Sequence, residues 1–174
     1  MMRSKLLAIS AMAFALVAAC DTDDDDNGTG PGAQTFTATL TGANERPNPV
    51  TTPATGSATF TLSADQNTLS WTVTTTGLNN VTQAHIHVGG AQIAGPVILG
   101  LFAGPTANNP AISGSTTRAT FPSALGISWD ALLSLMRSGD TYVNVHTDNG
   151  TAPANTGPGD FPGGEIRGQI ALGP

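Results

Sequence analysis

From residue 36 onward, apolar side chains recur at every second position in short runs: Phe36, Ala38 and Leu40, then Ala58, Phe60 and Leu62, then Leu69, Trp71 and Val73. Successive side chains of an extended chain point to opposite faces, so this period marks strands with one face on a core and the other toward water. The runs are broken by Gly, Asn and Pro, which commits them to antiparallel pairing through turns. Further strands are expected at Gln83–Val88, Pro96–Phe102, Thr116–Phe121, Thr141–Thr147 and Gly164–Leu172, about eight in all. The predicted fold class is therefore all-β, an antiparallel Greek-key sandwich or barrel. Ala64-Asp-Gln-Asn-Thr68 is short enough for a hairpin turn, and Pro158-Gly-Asp-Phe-Pro-Gly-Gly164 reads as a rigid, irregular connection across or beside the last two strands.

One segment breaks the period. Trp129, Leu132, Leu133 and Met136 have helical spacing, Ser128 can cap their start, and Gly139 can end them. Asp130 in the first turn and Arg137 in the last suit the helix dipole. A short helix near 128–138 is expected to close one end of the β structure, with its apolar stripe in the core.

The start of the chain has a different character. Arg3 and Lys5 precede an apolar run, Leu6 to Ala19, that is shorter than the ~20 residues of a spanning helix and ends in Val17-Ala18-Ala19-Cys20. This segment resembles a bacterial lipoprotein signal peptide. The resemblance implies removal of residues 1–19, lipidation of Cys20 and a cell-envelope location, periplasmic or outer-surface, with the membrane as partner through the N-terminal lipid. Cys20 is the single cysteine, so no intrachain disulfide can form. Residues 20–33 are acidic and small and cannot bury apolar surface, so they read as a disordered tether. Asp23-x-Asp25-x-Asn27-Gly28 matches the opening of a calcium loop. The twelfth position is Gln34 where that loop needs a bidentate Glu, and calcium is rejected. Residues 34–174 then form one domain.

Without residues 1–19 the chain keeps four arginines, no lysine and twelve acids, a net charge of −8, or −3 from Gln34 onward. Clustered positive charge is what phosphate backbones require, so nucleic acid is excluded as a partner. No serine sits in a Gly-x-Ser-x-Gly elbow and no phosphate-cradling glycine loop is evident, which removes hydrolase and nucleotide-binding readings.

All three histidines fall in two of the predicted strands, His85 and His87 in Gln83-Ala-His-Ile-His-Val88 and His146 in Tyr142-Val-Asn-Val-His-Thr147. Parity puts His85 and His87 on one face and groups Tyr142, Asn144 and His146 together, so the three imidazoles are expected to meet on the polar, outer face of a sheet. Three neutral imidazoles suit copper or zinc. A site ready for such an ion should hold its nitrogens within ~4 Å of one another, since each ligand nitrogen lies ~2.0–2.1 Å from the metal. Asp148, Asp160 and Glu165 are candidates for a fourth ligand, and Glu165 and Arg167 share a parity that could bring them to the same surface to orient an imidazole.

Leu40-Thr-Gly-Ala-Asn-Glu-Arg-Pro47, Gly56-Ser-Ala-Thr-Phe-Thr-Leu62, Ala84-His-Ile-His87, Gly95-Pro-Val-Ile-Leu-Gly-Leu-Phe102, Tyr142-Val-Asn-Val-His146 and Pro162-Gly-Gly-Glu-Ile-Arg-Gly-Gln-Ile170 together resemble the CHRD domain, named after chordin. Bacterial versions are often secreted or lipid-anchored, which agrees with the N-terminal segment. The usual Gly-Pro after the second histidine is replaced here by Val88-Gly-Gly90. The order of a His-x-His strand, a Val-x-His strand and a glycine-rich strand with an arginine is also similar to copper-zinc superoxide dismutases. By that similarity His85, His87, His146 and Arg167 would correspond to a copper site. No fourth histidine exists to bridge to a zinc, so a two-metal dismutase is excluded. The resulting expectation is a non-enzymatic, envelope-exposed module holding one copper or zinc ion for metal handling or tolerance. A metal-free module that binds a protein or glycan is the alternative, and redox chemistry at the copper a lesser one.

Cys20→Ser is expected to move the protein from the membrane pellet to the soluble fraction. Unchanged sedimentation with membranes would contradict the lipid anchor.

Overall fold

The computed structural model describes residues 32–174. The signal segment, Cys20 and nearly all of the tether lie outside the described residues. Nine strands are formed: β1 (Gln34–Thr41), β2 (Thr55–Leu62), β3 (Thr68–Thr76), β4 (Val81–Val88), β5 (Val97–Ala107), β6 (Ile112–Thr117), β7 (Thr141–Thr147), β8 (Ile166–Gln169) and the short β9 (Ala171–Leu172). One α-helix, α1 (Trp129–Ser138), precedes β7.

All pairings are antiparallel, in the order β5-β4-β7-β8-β1-β2-β3-β6, with β9 also on β1. The outer strands β5 and β6 approach each other, so the sheet curls into a nearly closed barrel. Around that ring β3 and β4 are separated by β6 and β5, which is a Greek-key connection. The inward positions carry the apolar residues read from the sequence, among them Phe36, Leu40, Phe60, Leu62, Leu69, Val73, Ile86, Val143 and Val145, all buried. The outward positions of β1, β2, β3 and β6 are all Thr or Ser, for example Thr37, Thr39, Ser57, Thr59, Thr72, Thr74 and Ser113. β-Branched hydroxyl residues suit a pleated surface that stays wet, and they leave this half of the barrel without charge.

The hairpin between β2 and β3 closes as expected, with Ser63 N–H donating to the Thr68 carbonyl at 2.9 Å. The helix also matches its sequence signals. Ser128 Oγ accepts from Ala131 N–H at 3.1 Å, Gly139 ends the helix at φ 76°, and Trp129, Leu132, Leu133 and Met136 are buried. The helix covers the barrel end that holds the β2–β3 turn, where Trp129 Nε1 donates to the Gln66 carbonyl at 2.8 Å.

Two strand expectations are corrected. The strand read at Thr116–Phe121 runs instead from Ile112 to Thr117, paired with β3 from Val73↔Ile112 to Thr68↔Thr117. Ile112-Ser-Gly-Ser-Thr shows little apolar alternation, so pairing and not pattern defines it. Gly114 is required there because a Cβ would lie 2.6 Å from the Trp71 indole. The strand read as Gly164–Leu172 is split into β8, which pairs mainly with β7, and β9, which pairs with β1.

Gly168 is pressed against the next strand, since a Cβ on it would lie 2.4 Å from the Thr39 carbonyl oxygen. A backbone atom cannot step aside as a side chain can. Gly168→Ala should therefore destabilise the domain by about 1–3 kcal/mol in urea denaturation, the usual cost of overpacking.

Candidate metal centre

β4 and β7 lie side by side with Gln83 opposite His146, His85 opposite Asn144 and His87 opposite Tyr142. This register brings the two histidine motifs together on one face, as parity predicted. Ring centroids are separated by 5.0 Å for His85–His146, 5.7 Å for His85–His87 and 5.8 Å for His87–His146. One nitrogen from each ring falls within a group whose members all lie within 4.8 Å of one another. Two nitrogens bound to one ion at ~2.0–2.1 Å cannot be more than ~4.2 Å apart, so the cluster must contract slightly to close on a metal. The expected ~4 Å spacing is thus approached and not met.

The face itself is not the solvent-exposed one that the sequence suggested. His87 is 8% and His146 9% exposed, His85 is half-buried, and every residue of β7 is buried. The reason is a roof of connections. Residues between β1 and β2, between β4 and β5 and between β7 and β8 fold over the outer side of β4, β7 and β8, and each touches the site through a specific bond.

Two of those bonds determine what the imidazoles can do. His87 Nδ1 lies 2.9 Å from the Gly95 carbonyl and His146 Nδ1 lies 2.9 Å from the Pro162 carbonyl. A carbonyl only accepts, so both Nδ1 atoms carry the proton and both Nε2 atoms present a lone pair. His87 Nε2 is buried and has no hydrogen-bond partner. His146 Nε2 lies 3.2 Å from His85 Nδ1, which is then the donor. For His85 to ligate through Nδ1, that proton must move to its Nε2. Burial pushes all three histidines below their ordinary pKa, His85 to about 4 with the neighbouring His146 and His87 adding to the effect. The imidazoles are neutral at neutral pH, the form in which they bind metals.

The other predicted site residues fall in different places. Arg167 is adjacent: its guanidinium carbon sits 3.4 Å from the centroid of the Tyr142 ring, and that ring stacks on His87 at 4.9 Å and 13°. Glu165 is fully buried but remote in function, accepting from Thr52 Oγ1, Thr147 Oγ1 and Gly159 N–H at 2.6–2.8 Å. It ties two roof connections to the end of β7. Asp160 accepts from Thr156 N–H and Oγ1, and Asp148 from Gly150 N–H, so both brace the β7–β8 loop. None of the three carboxylates joins the histidine group.

Two polar residues beside the site were not singled out from the sequence. Asn144, opposite His85, is buried and its Nδ2 donates to Glu45 at 3.3 Å. Glu45 is 3% exposed, and burial raises its pKa to about 7 against the pull of Arg167. Glu45 lies at the end of the Leu40–Pro47 motif, but nothing in that motif's pattern says that the loop turns back over β7.

A family model described as CHRD domain matches residues 36–170. No curated protein matches the chain.

The buried histidines set a pH response for the metal-free domain. Their folded pKa values lie below the ordinary 6.5, so the unfolded chain takes up protons first, and their stabilising contribution is lost as pH falls from about 6.5 toward 4. Glu45 acts with the opposite sign, contributing below its unfolded value of 4.5 and losing that contribution as pH rises through about 7. Thermal unfolding midpoints should drop below pH 6, and His146→Gln should flatten that drop. An unchanged acid limb in this variant would count against the buried neutral imidazole.

Proposed function

As this chain belongs to the CHRD domain family, we propose that it is a lipid-anchored, envelope-exposed CHRD module that holds a single transition-metal ion, copper, through His85, His87 and His146. Its role is metal handling or tolerance, without catalysis. The observation that carries this reading is the pair of Nδ1–H to carbonyl bonds at Gly95 and Pro162, which aim two lone pairs inward. His87 Nε2 is buried without a protein partner, a state that costs ~1–3 kcal/mol and that a bound metal ion would relieve.

Three imidazole nitrogens match the ligand preference of copper and zinc and leave a further position for water or an external ligand. The loops around them exclude solvent from two of the three rings and fix their tautomers, as outer partners of metal-binding histidines generally do. Lipidation at Cys20, supported by the Leu6–Ala19 run and the small residues before the cysteine, would place that site at the cell envelope.

The test is metal analysis of tag-free protein after exposure to micromolar copper or zinc, beside the His85→Ala, His87→Ala double variant. One copper per wild-type chain and none per variant chain, with the variant's circular dichroism unchanged, is the expected result. Preferential zinc uptake would correct the metal, and no uptake of either ion would overturn the reading. Consumption of superoxide by copper-loaded protein would replace metal handling with redox catalysis.

A further inference from the structure

The described chain has four arginines and no lysine, and their placement is uneven. Arg118 pairs with Asp130 at 2.9 Å, and Arg137 is held by Gln34 and Gln66 at the helix end. The other two, Arg46 and Arg167, line a single pocket of about 140 Å³ together with Asn44, Gln92 and Gln169. The geometry points to an anion site: Arg46 and Arg167 form a receptor for a small oxyanion of the phosphate class, separate from the histidine cluster and on the Arg167 side of Tyr142.

Arg167 is 2% exposed, yet of its five N–H donors one bond is made, from Nη2 to the Gly90 carbonyl at 3.0 Å. Among the described residues no carboxylate reaches it within 4.0 Å, since the one ion pair is Arg118–Asp130. Glu45 attracts it from farther away, and burial raises the pKa of that carboxyl to about 7, so it supplies only part of a negative charge at neutral pH. The Tyr142 ring offsets part of the charge through its face but cannot accept the remaining N–H bonds. A buried guanidinium with no carboxylate in contact is unusual, and an oxyanion supplies both the charge and the acceptors in the planar geometry that arginine favours.

The walls are already fixed in place. Arg46 is braced by Nε to Gln92 Oε1 at 2.8 Å and by Nη1 to the Ala43 and Glu45 carbonyls at 3.1 and 2.7 Å. Asn44 Nδ2 donates to the Arg167 carbonyl, and Gln169 Nε2 donates to the Gly89 and Gly139 carbonyls. A pocket of about 140 Å³ that opens to solvent has room for a phosphate-sized group. No acidic side chain lines it.

The probe is inorganic phosphate, titrated calorimetrically into the chelator-treated protein at fixed ionic strength made up with chloride. One-to-one saturable binding is expected, weakened about tenfold or more by Arg46→Gln, which loses a charged hydrogen-bond donor. Arg167→Lys should weaken it as well. Arg46 is only half-buried, so its variant reports on the pocket even if the Arg167 variant does not fold. Absence of saturable binding, or binding equally strong in Arg46→Gln, would overturn the proposal. Because the measurement is made without metal and should give the same result in the His85→Ala protein, which leaves the His87–Tyr142–Arg167 stack in place, its failure is distinct from failure of the metal site.

Discussion

A buried imidazole can keep its proton on either nitrogen, and in this domain two backbone carbonyls decide which. The bonds from His87 to Gly95 and from His146 to Pro162 require two separate connections to be folded onto the β4–β7 face. Most of what surrounds the site follows from that requirement. Glu165 ties residues near 52 and 159 to β7, Tyr142 accepts the Gly95 N–H at 2.9 Å, and Arg167 holds the Gly90 carbonyl. Each is a device for keeping a polar loop over a polar face without leaving its backbone groups unpaired.

The barrel was legible because its signal is local. Phe36 to Leu40, Ala58 to Leu62 and Leu69 to Val73 show their parity within five residues, and the helix declares both its ends through Ser128 and Gly139. The grouping of His85, His87 and His146 was legible for the same reason, given that β4 and β7 pair. What could not be read is the roof. Glu45 and Asn144 come together from residues far apart in sequence, and neither belongs to a periodic pattern that predicts a partner. The same absence of pattern displaced β6, whose Ile112-Ser-Gly-Ser-Thr run is a strand because β3 and the Trp71 indole accept it, not because its own residues demand one.

The two halves of the barrel differ in their polar economy. Around β1, β2, β3 and β6 hydroxyl groups face water and need nothing from the protein. Around β4, β7 and β8 the outer face is covered, so histidine, asparagine, glutamate and arginine are buried and must be reconciled with one another. Charge is sparse overall, and the buried Arg167 lies in this second half within electrostatic range of the buried Glu45 carboxyl but unbonded to it. The low dielectric that makes such groups costly also makes them responsive to any ion that enters.

The tautomers of His87 and His146 carry a consequence for timing. A chain in which β4 has formed but the loops have not closed offers only two adjacent imidazoles free to bind through either nitrogen. The three-nitrogen set with assigned lone pairs exists only after β4 and β7 have paired and the connections that carry Gly95 and Pro162 have docked. Any ion would therefore meet the complete set only in the folded domain, so the fold prepares the three nitrogens before a ligand does.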